Sequence, residues 1–185
     1  MSPVPPDLTR SIVRILAPDG STSGTGFIVH RDGLIATCSH VVQSQESQAR
    51  GDPRPEYVDV VLHATGDRLR AGVEPEWWRG ILAEDVAILR LQGPLPGEVG
   101  PLPLGSSRHS RGHDFSSWGY RLADVFPGGL DAKGEIQART LYRDQPALQL
   151  LSNQIDRGMS GAPLWDVQGR RVVGMINAFW ETTRH

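Results

Sequence analysis

The stretch Gly158-Met159-Ser160-Gly161-Ala162-Pro163 sets a serine between glycines. Glycine takes backbone conformations barred to other residues, so such a stretch can turn sharply and approach a ligand closely. The turn can leave the Ser160 hydroxyl exposed while the amides of Gly158 and Ser160 point at one spot, the arrangement that stabilises a developing oxyanion. A serine hydroxyl is a poor nucleophile at neutral pH unless a base lies within hydrogen-bond reach. An imidazole whose tautomer is fixed by a third group suits that task. His40 and Asp85 are the candidates, because each lies beside a strongly apolar run, 34–38 before His40 and 86–91 after Asp85. Asp59, inside its own alternating segment, is the rival orienter, and the apolar run after Asp85 favours Asp85. The ordinary alternatives are a turn serine, a strand-end histidine and a turn-capping aspartate.

Composition bounds the setting of these residues. At 185 residues the chain fits one domain or two closely packed lobes. A net charge of −2 with both signs interspersed argues against nucleic acid or an anionic membrane as partner. Cys38 is the single cysteine, which excludes an intrachain disulfide and predicts a small buried hydrophobe. The segment Met1-Ser2-Pro3-Val4-Pro5-Pro6-Asp7 has no basic region followed by an apolar one, and no run approaches a membrane span. A cytoplasmic, soluble protein is the expectation. His109 and His113 would share a face only on a helix, and their stretch reads as loop, so no metal site is expected there. The run 20–26 lacks the lysine of a phosphate loop. Neither a metal nor a cofactor is expected.

The many glycines and prolines, with few helical-period stretches, predict short strands joined by turns. Residues 1–10 read as a flexible, proline-rich lead-in. Six strands are predicted at 11–16, 24–30, 34–38, 57–63, 68–73 and 84–91, with 43–55 as a polar surface loop. The Pro- and Gly-rich stretch 93–112 reads as a linker between an N-terminal lobe, 11–92, and a C-terminal lobe, 113–185. Five strands are predicted after it, at 114–120, 134–142, 147–151, 162–165 and 171–179.

Three segments together resemble a known family. Ile35-Ala36-Thr37-Cys38-Ser39-His40-Val41-Val42, Glu84-Asp85-Val86-Ala87-Ile88-Leu89 and Arg157-Gly158-Met159-Ser160-Gly161-Ala162-Pro163-Leu164 are similar to the His, Asp and Ser boxes of the chymotrypsin-like serine peptidases. Gly24-Thr25-Gly26-Phe27-Ile28-Val29 and Ser117-Trp118-Gly119-Tyr120 resemble further segments of the disulfide-free bacterial branch that includes the high-temperature-requirement proteases. The resemblance implies an all-β fold of two antiparallel six-stranded barrels with the active site in the cleft between them. It implies Ser160 as nucleophile, His40 as general base and then acid, Asp85 as the orienting carboxylate, and Gly158 and Ser160 as oxyanion donors. Asn177, Ala178 and Phe179 would form the edge against which an extended protein or peptide substrate pairs. Gln154 falls where trypsin-type enzymes place the aspartate of the specificity pocket, so strict basic specificity is not implied.

Three departures qualify the resemblance. Met159 stands where secreted members carry the aspartate that pairs with a newly cut N-terminus, so control is expected to come some other way. Ser39 stands where alanine is usual. The chain also stops six residues after Phe179, where the family has a further strand. Either the last strand of the second barrel is missing because this is a domain of a longer protein, or the pocket wall is unusual. The implied activity is that of a serine endopeptidase, with a catalytically silent peptide-binding module as the alternative. The resemblance extends to bacterial trypsin-like domains fused to sensor or NTPase modules, some in antiviral defence, which makes such a module an expected partner.

Overall fold

A computed structural model describes residues 7–177. In the first half, apolar side chains recur at every second position of short segments, which places them all on one face of a strand. These segments form β1 (Ile12–Leu16), β2 (Thr22–His30), β3 (Leu34–Thr37), β4 (Tyr57–Leu62), β5 (Arg68–Val73) and β6 (Ala87–Leu91). They close into one antiparallel barrel in the order β1-β2-β3-β6-β5-β4. Closure occurs at β1, where Val13 faces Gly26 of β2 on one side and Leu62 of β4 on the other. Val13, Ile15, Ile28, Ile35, Val60, Leu62 and Leu89 fill the interior with no exposed surface. Each such burial stabilises the barrel by about 1.5–3 kcal/mol before entropy is counted.

The second half forms β7 (Asp114–Gly119), β8 (Leu130–Tyr142), β9 (Gln145–Leu151), β10 (Pro163–Asp166) and β11 (Arg171–Met175). They make one antiparallel sheet in the order β11-β10-β7-β8-β9. Phe115, Ile136 and Leu164 form its core, with Leu148, Leu150 and Val173 packed against them. The two-lobed all-β architecture is therefore as expected. Among the described residues the second lobe holds five strands rather than six, with β9 and β11 as its two edges. No helix among the described residues is long and apolar enough to cross a membrane.

Two expectations require correction. The segment 43–55 is not all loop: Ser39–Val42 forms a single turn, α1, and Gln45–Arg50 forms a helix, α2. The Ser44 hydroxyl accepts from Ser47 N at 3.2 Å, and Gly51 ends the helix at φ 73°. A serine N-cap and a left-handed glycine just past the last turn define this helix, although its composition is polar throughout. Residues 8–10, expected in a flexible lead-in, belong to a 3-10 turn over Leu8–Ser11, and Leu8 is buried.

Leu8 packs in a cluster with Ile12, Phe27, Leu102, Tyr120, Trp165 and Val172, drawn from both lobes and from the stretch between them. That stretch is also hydrogen-bonded to each side, Leu102 N to Ile28 O at 3.0 Å and Val172 N to Pro103 O at 2.8 Å. Asp166, at the end of β10, is buried and fixes the stretch further. Its carboxylate accepts from the Ser110 hydroxyl at 2.6 Å, Gly169 N at 2.7 Å and His113 Nδ1 at 2.9 Å. Burial pushes the Asp166 carboxyl up, but the donors from Ser110, Gly169 and His113 outweigh it and hold it below its ordinary value.

A carboxyl depressed in the folded state stabilises the protein above its unfolded pKa, and that contribution is lost as pH falls through the folded value. The unfolding free energy in urea should therefore drop as pH is lowered below about 4. Asp166→Asn should cost on the order of 3 kcal/mol at pH 7 and should flatten that acid limb.

Candidate active site

His40 lies in α1, immediately after β3, and Asp85 lies in the turn that precedes β6. Thr37 of β3 pairs with Ala87 of β6, so the two residues hang from neighbouring strands of the closed barrel. The turn is tight, with Asp85 N bonded to Gly80 O at 3.2 Å and Asp85 at φ 55°. Three donors converge on the Asp85 carboxylate. His40 Nδ1 lies 2.7 Å from Oδ2, while His40 N and the Ser39 hydroxyl donate to Oδ1 at 3.0 and 2.8 Å. Asp85 is almost wholly buried, and these donors replace the water it has lost. With Nδ1–H given to Asp85, Nε2 is the nitrogen left to act. Asp59, the rival orienter, is engaged by Arg68 at 2.7 Å on β4, away from His40.

The missed helix α2 braces this pair. Gln48 donates to Gln43 O at 2.8 Å and to the Ser39 hydroxyl at 3.4 Å, and its Oε1 accepts from Ile81 N at 2.9 Å in the turn that carries Asp85. Ser39 therefore does more than fill the place of an alanine. It brings a hydroxyl to the buried carboxylate.

Ser160 comes from the second lobe, in the loop between β9 and β10. Gly158 and Gly161 on either side have φ of 90° and 87°, a region open to glycine and strained for other residues. Among the described residues the amides of Gly158 and Ser160 donate to no protein acceptor, which leaves both for a ligand. The Ser160 hydroxyl likewise has no hydrogen bond among the described residues. Met159 is fully buried with Ala132, Ala162 and Ile176, so an apolar side chain anchors the loop.

The loop is keyed to the barrel by Thr25 of β2, a residue that sequence reasoning passed over. Thr25 N donates to Ser160 O at 2.9 Å. Its hydroxyl donates to Gly158 O at 2.9 Å and accepts from Tyr120 N at 3.0 Å, and its carbonyl accepts from the Thr37 hydroxyl at 2.6 Å. The local signal was a threonine between two glycines in a strand, but its second-lobe partners lie 95 to 135 positions away.

His40, Asp85, Gly158, Ser160 and Asn177 line one cleft of ≈ 840 Å³. β11 ends at Met175, so Asn177, expected within an edge strand, lies two residues beyond it, whereas Ala178 and Phe179 lie outside the described residues. Gln154 is a correction. It does not line the cleft: its Oε1 accepts from Lys133 N at 2.8 Å and its carbonyl from Arg121 Nη1 at 2.7 Å, so it ties the loop to β8. Cys38 Sγ, a His40 ring nitrogen and an Asp85 oxygen lie within 4.8 Å of one another, a set of types that can ligate a metal. Burial, and then the Asp85 charge, push the Cys38 thiol well up, and the thiol points to Ile176 O at 3.5 Å. A protonated thiol and an imidazole nitrogen already taken by carboxylate describe a braced dyad, not a ligand set.

A family model described as a trypsin-like peptidase domain matches residues 24–175. The chain belongs to that family. The mitochondrial serine protease HTRA2 of Bos taurus is 29% identical over 161 residues, covering 83% of this chain and 31% of that protein. The chain thus spans about a third of the length of this relative. Within the trypsin-like frame the closed barrel supplies the imidazole and the carboxylate, and the second lobe supplies the serine.

Replacing Thr25 with valine keeps its shape but leaves the buried Tyr120 N and the half-buried Gly158 O unpaired, at about 1–3 kcal/mol for the first and less for the second. Thr25→Val should therefore lower the unfolding free energy by roughly 2–5 kcal/mol, read from denaturant midpoints. Thr25→Ser, which keeps the hydroxyl, should stay within about 1.5 kcal/mol of wild type.

Proposed function

We propose that this chain is a serine endopeptidase that cleaves peptide bonds through an acyl-enzyme on Ser160. The observation that carries the reading is the His40 Nδ1–Asp85 Oδ2 contact of 2.7 Å, braced by Ser39 and opening on the cleft that Ser160 also lines. His40 Nε2 takes the proton as the Ser160 hydroxyl attacks the scissile carbonyl, and Asp85 stabilises the imidazolium that forms. The free amides of Gly158 and Ser160 receive the oxyanion. His40 then protonates the leaving amine, and a water activated by the same nitrogen releases the acyl group. The Ser160 hydroxyl, unbonded among the described residues, closes on Nε2 when substrate fills the cleft, as such contacts tighten in the Michaelis complex.

Met159 supports control from outside the loop. A buried methionine cannot make the ion pair with a new N-terminus that an aspartate makes, so the reading takes this domain as the effector of a larger regulated cytoplasmic protein. A sensor or NTPase module is then the partner, and the native open reading frame should encode one.

A fluorophosphonate probe should label the wild type on one peptide containing Ser160, and Ser160→Ala should remove the label. Asp85→Asn should lower kcat by about ten-thousandfold, because the imidazole is then held in the wrong tautomer. A wild type that binds peptides yet takes no label would favour the silent binding module.

A further inference from the structure

We propose that the cleft selects polypeptides carrying acidic side chains beside the bond presented to Ser160, through Arg139, Arg143 and Arg157. This names a substrate class for the peptidase reading above and rests on it.

The whole chain carries a net charge of −2, yet the charged residues lining the cleft are three arginines against Glu84 and Asp85. Asp85 is committed to His40 and Ser39, which leaves Glu84 alone to oppose them. Arginines on the barrel wall reach acids, Arg68 and Arg70 to Asp59 and Arg90 to Glu74. Among the described residues, none of the three cleft arginines does. Asp156, the acid adjoining Arg157, accepts from the backbone N of Arg157 at 2.6 Å, and neither it nor Asp144 lines the cleft. Gln154 is neutral and turned away, so no carboxylate at that position repels an acidic side chain.

The placement of Arg143 is unusual on its own account. β7 pairs with β8 only over Leu130 to Glu135, so beyond Ala138 the hairpin of β8 and β9 runs on alone to its tip at the cleft. Tyr142 pairs with Gln145 across a two-residue loop, Arg143-Asp144, with φ of 50° and 62°. A loop with both central residues at positive φ ordinarily takes Asn-Gly, since a side chain there is strained. An arginine held in that conformation places its charge at the cleft mouth, and its guanidinium lies over the Tyr142 ring, 5.2 Å from the centroid. The ring restrains the fork and leaves its edge for a carboxylate, which guanidinium matches in a two-pronged geometry. Arg157 directly precedes Gly158 in the loop and lines the same cleft. Two arginines from the hairpin and one from the nucleophile loop thus face a bound chain from different sides.

The test uses three pools of quenched fluorescent peptides with one common core and flanks of Glu, Gln or Lys. In wild type at 50 mM salt, kcat/KM for the Glu pool should exceed that for the Lys pool by about tenfold or more, the gap narrowing at 0.5 M salt as charges are screened. Each Arg→Ala change should cost about threefold to tenfold on the Glu pool, and the combined R139E/R143E/R157E variant should reverse the order of the pools while unfolding at a similar denaturant concentration. Equal turnover of the pools by wild type, or an acidic preference that survives the triple reversal, overturns the proposal. Binding of the same peptides to Ser160→Ala, read by fluorescence anisotropy, separates the two readings. If wild type cleaves nothing but Ser160→Ala still prefers the Glu pool, the peptidase reading fails and the arginine assignment stands. Equal binding of the pools, or tighter binding of a single-stranded oligonucleotide lost on the same reversal, overturns the arginine assignment.

Discussion

The amide and hydroxyl of Thr25 hold two lobes together at the serine, and its carbonyl ties it to the neighbouring strand. Its amide reaches the Ser160 carbonyl, its hydroxyl sits between Gly158 O and Tyr120 N, and its own carbonyl takes the Thr37 hydroxyl. Gly161 must be glycine beside it, because a Cβ at that position would overlap the Thr25 carbonyl. β2 thereby fixes the loop that presents Ser160. β3, paired with β2, and β6, paired with β3 in the same barrel, carry His40 and Asp85 at their ends. The relative placement of all three groups is thus referred to neighbouring strands of one closed, densely packed barrel, and barrels lack the free edges along which strands slip. A site assembled from two lobes gains the rigidity of one.

The buried carboxylate is the costliest group in this arrangement. Asp85 has left water, and a carboxylate in that position is tolerable only when its oxygens are occupied by donors. Three donors come from the two residues next to β3, and Gln48 on α2 ties their support to the turn that carries Asp85 itself. The neighbouring Cys38 stays neutral under the same burial and the same negative charge.

How far the sequence disclosed this follows from the range of the forces involved. The barrel strands were legible because alternation of apolar residues is a local pattern; the His40 and Asp85 segments were legible because each adjoins an apolar run, and the Ser160 segment because glycines flank it. α2 was hidden by its polar composition, although Ser44 and Gly51 mark its ends. Gln154 was placed at a pocket by counting along the chain. The hydrogen bond to Lys133 that turns it elsewhere depends on β8, which starts at Leu130 rather than at 134. Thr25 and Ser39 were visible only as letters in a resemblance. Their work is done across separations of 133 and 46 residues, where no local pattern reports it. The fold was readable to the extent that burial writes a period into the chain. Positioning contacts write none.

The two lobes divide what must be constant from what can vary. Moving Thr25, His40 or Asp85 disturbs the packed barrel interior and the reacting geometry together, so substitutions there carry a double cost. The β8–β9 hairpin beyond Ala138 touches neither: it is exposed, held mainly by its own cross-strand bonds, and carries charge at a strained tip beside the cleft. Its side chains can be exchanged without breaking the Thr25 clamp or the carboxylate's donors. Under the proposed function, a chain organised in this way could change what it selects while keeping how it reacts, because the cleft arginines of the hairpin and the His40, Asp85 and Ser160 groups are fixed by different parts of the fold. The arginines at 139 and 143 stand on the variable part. Arg157 stands at the junction, one residue from Gly158, where a change in selection would reach the oxyanion amides as well.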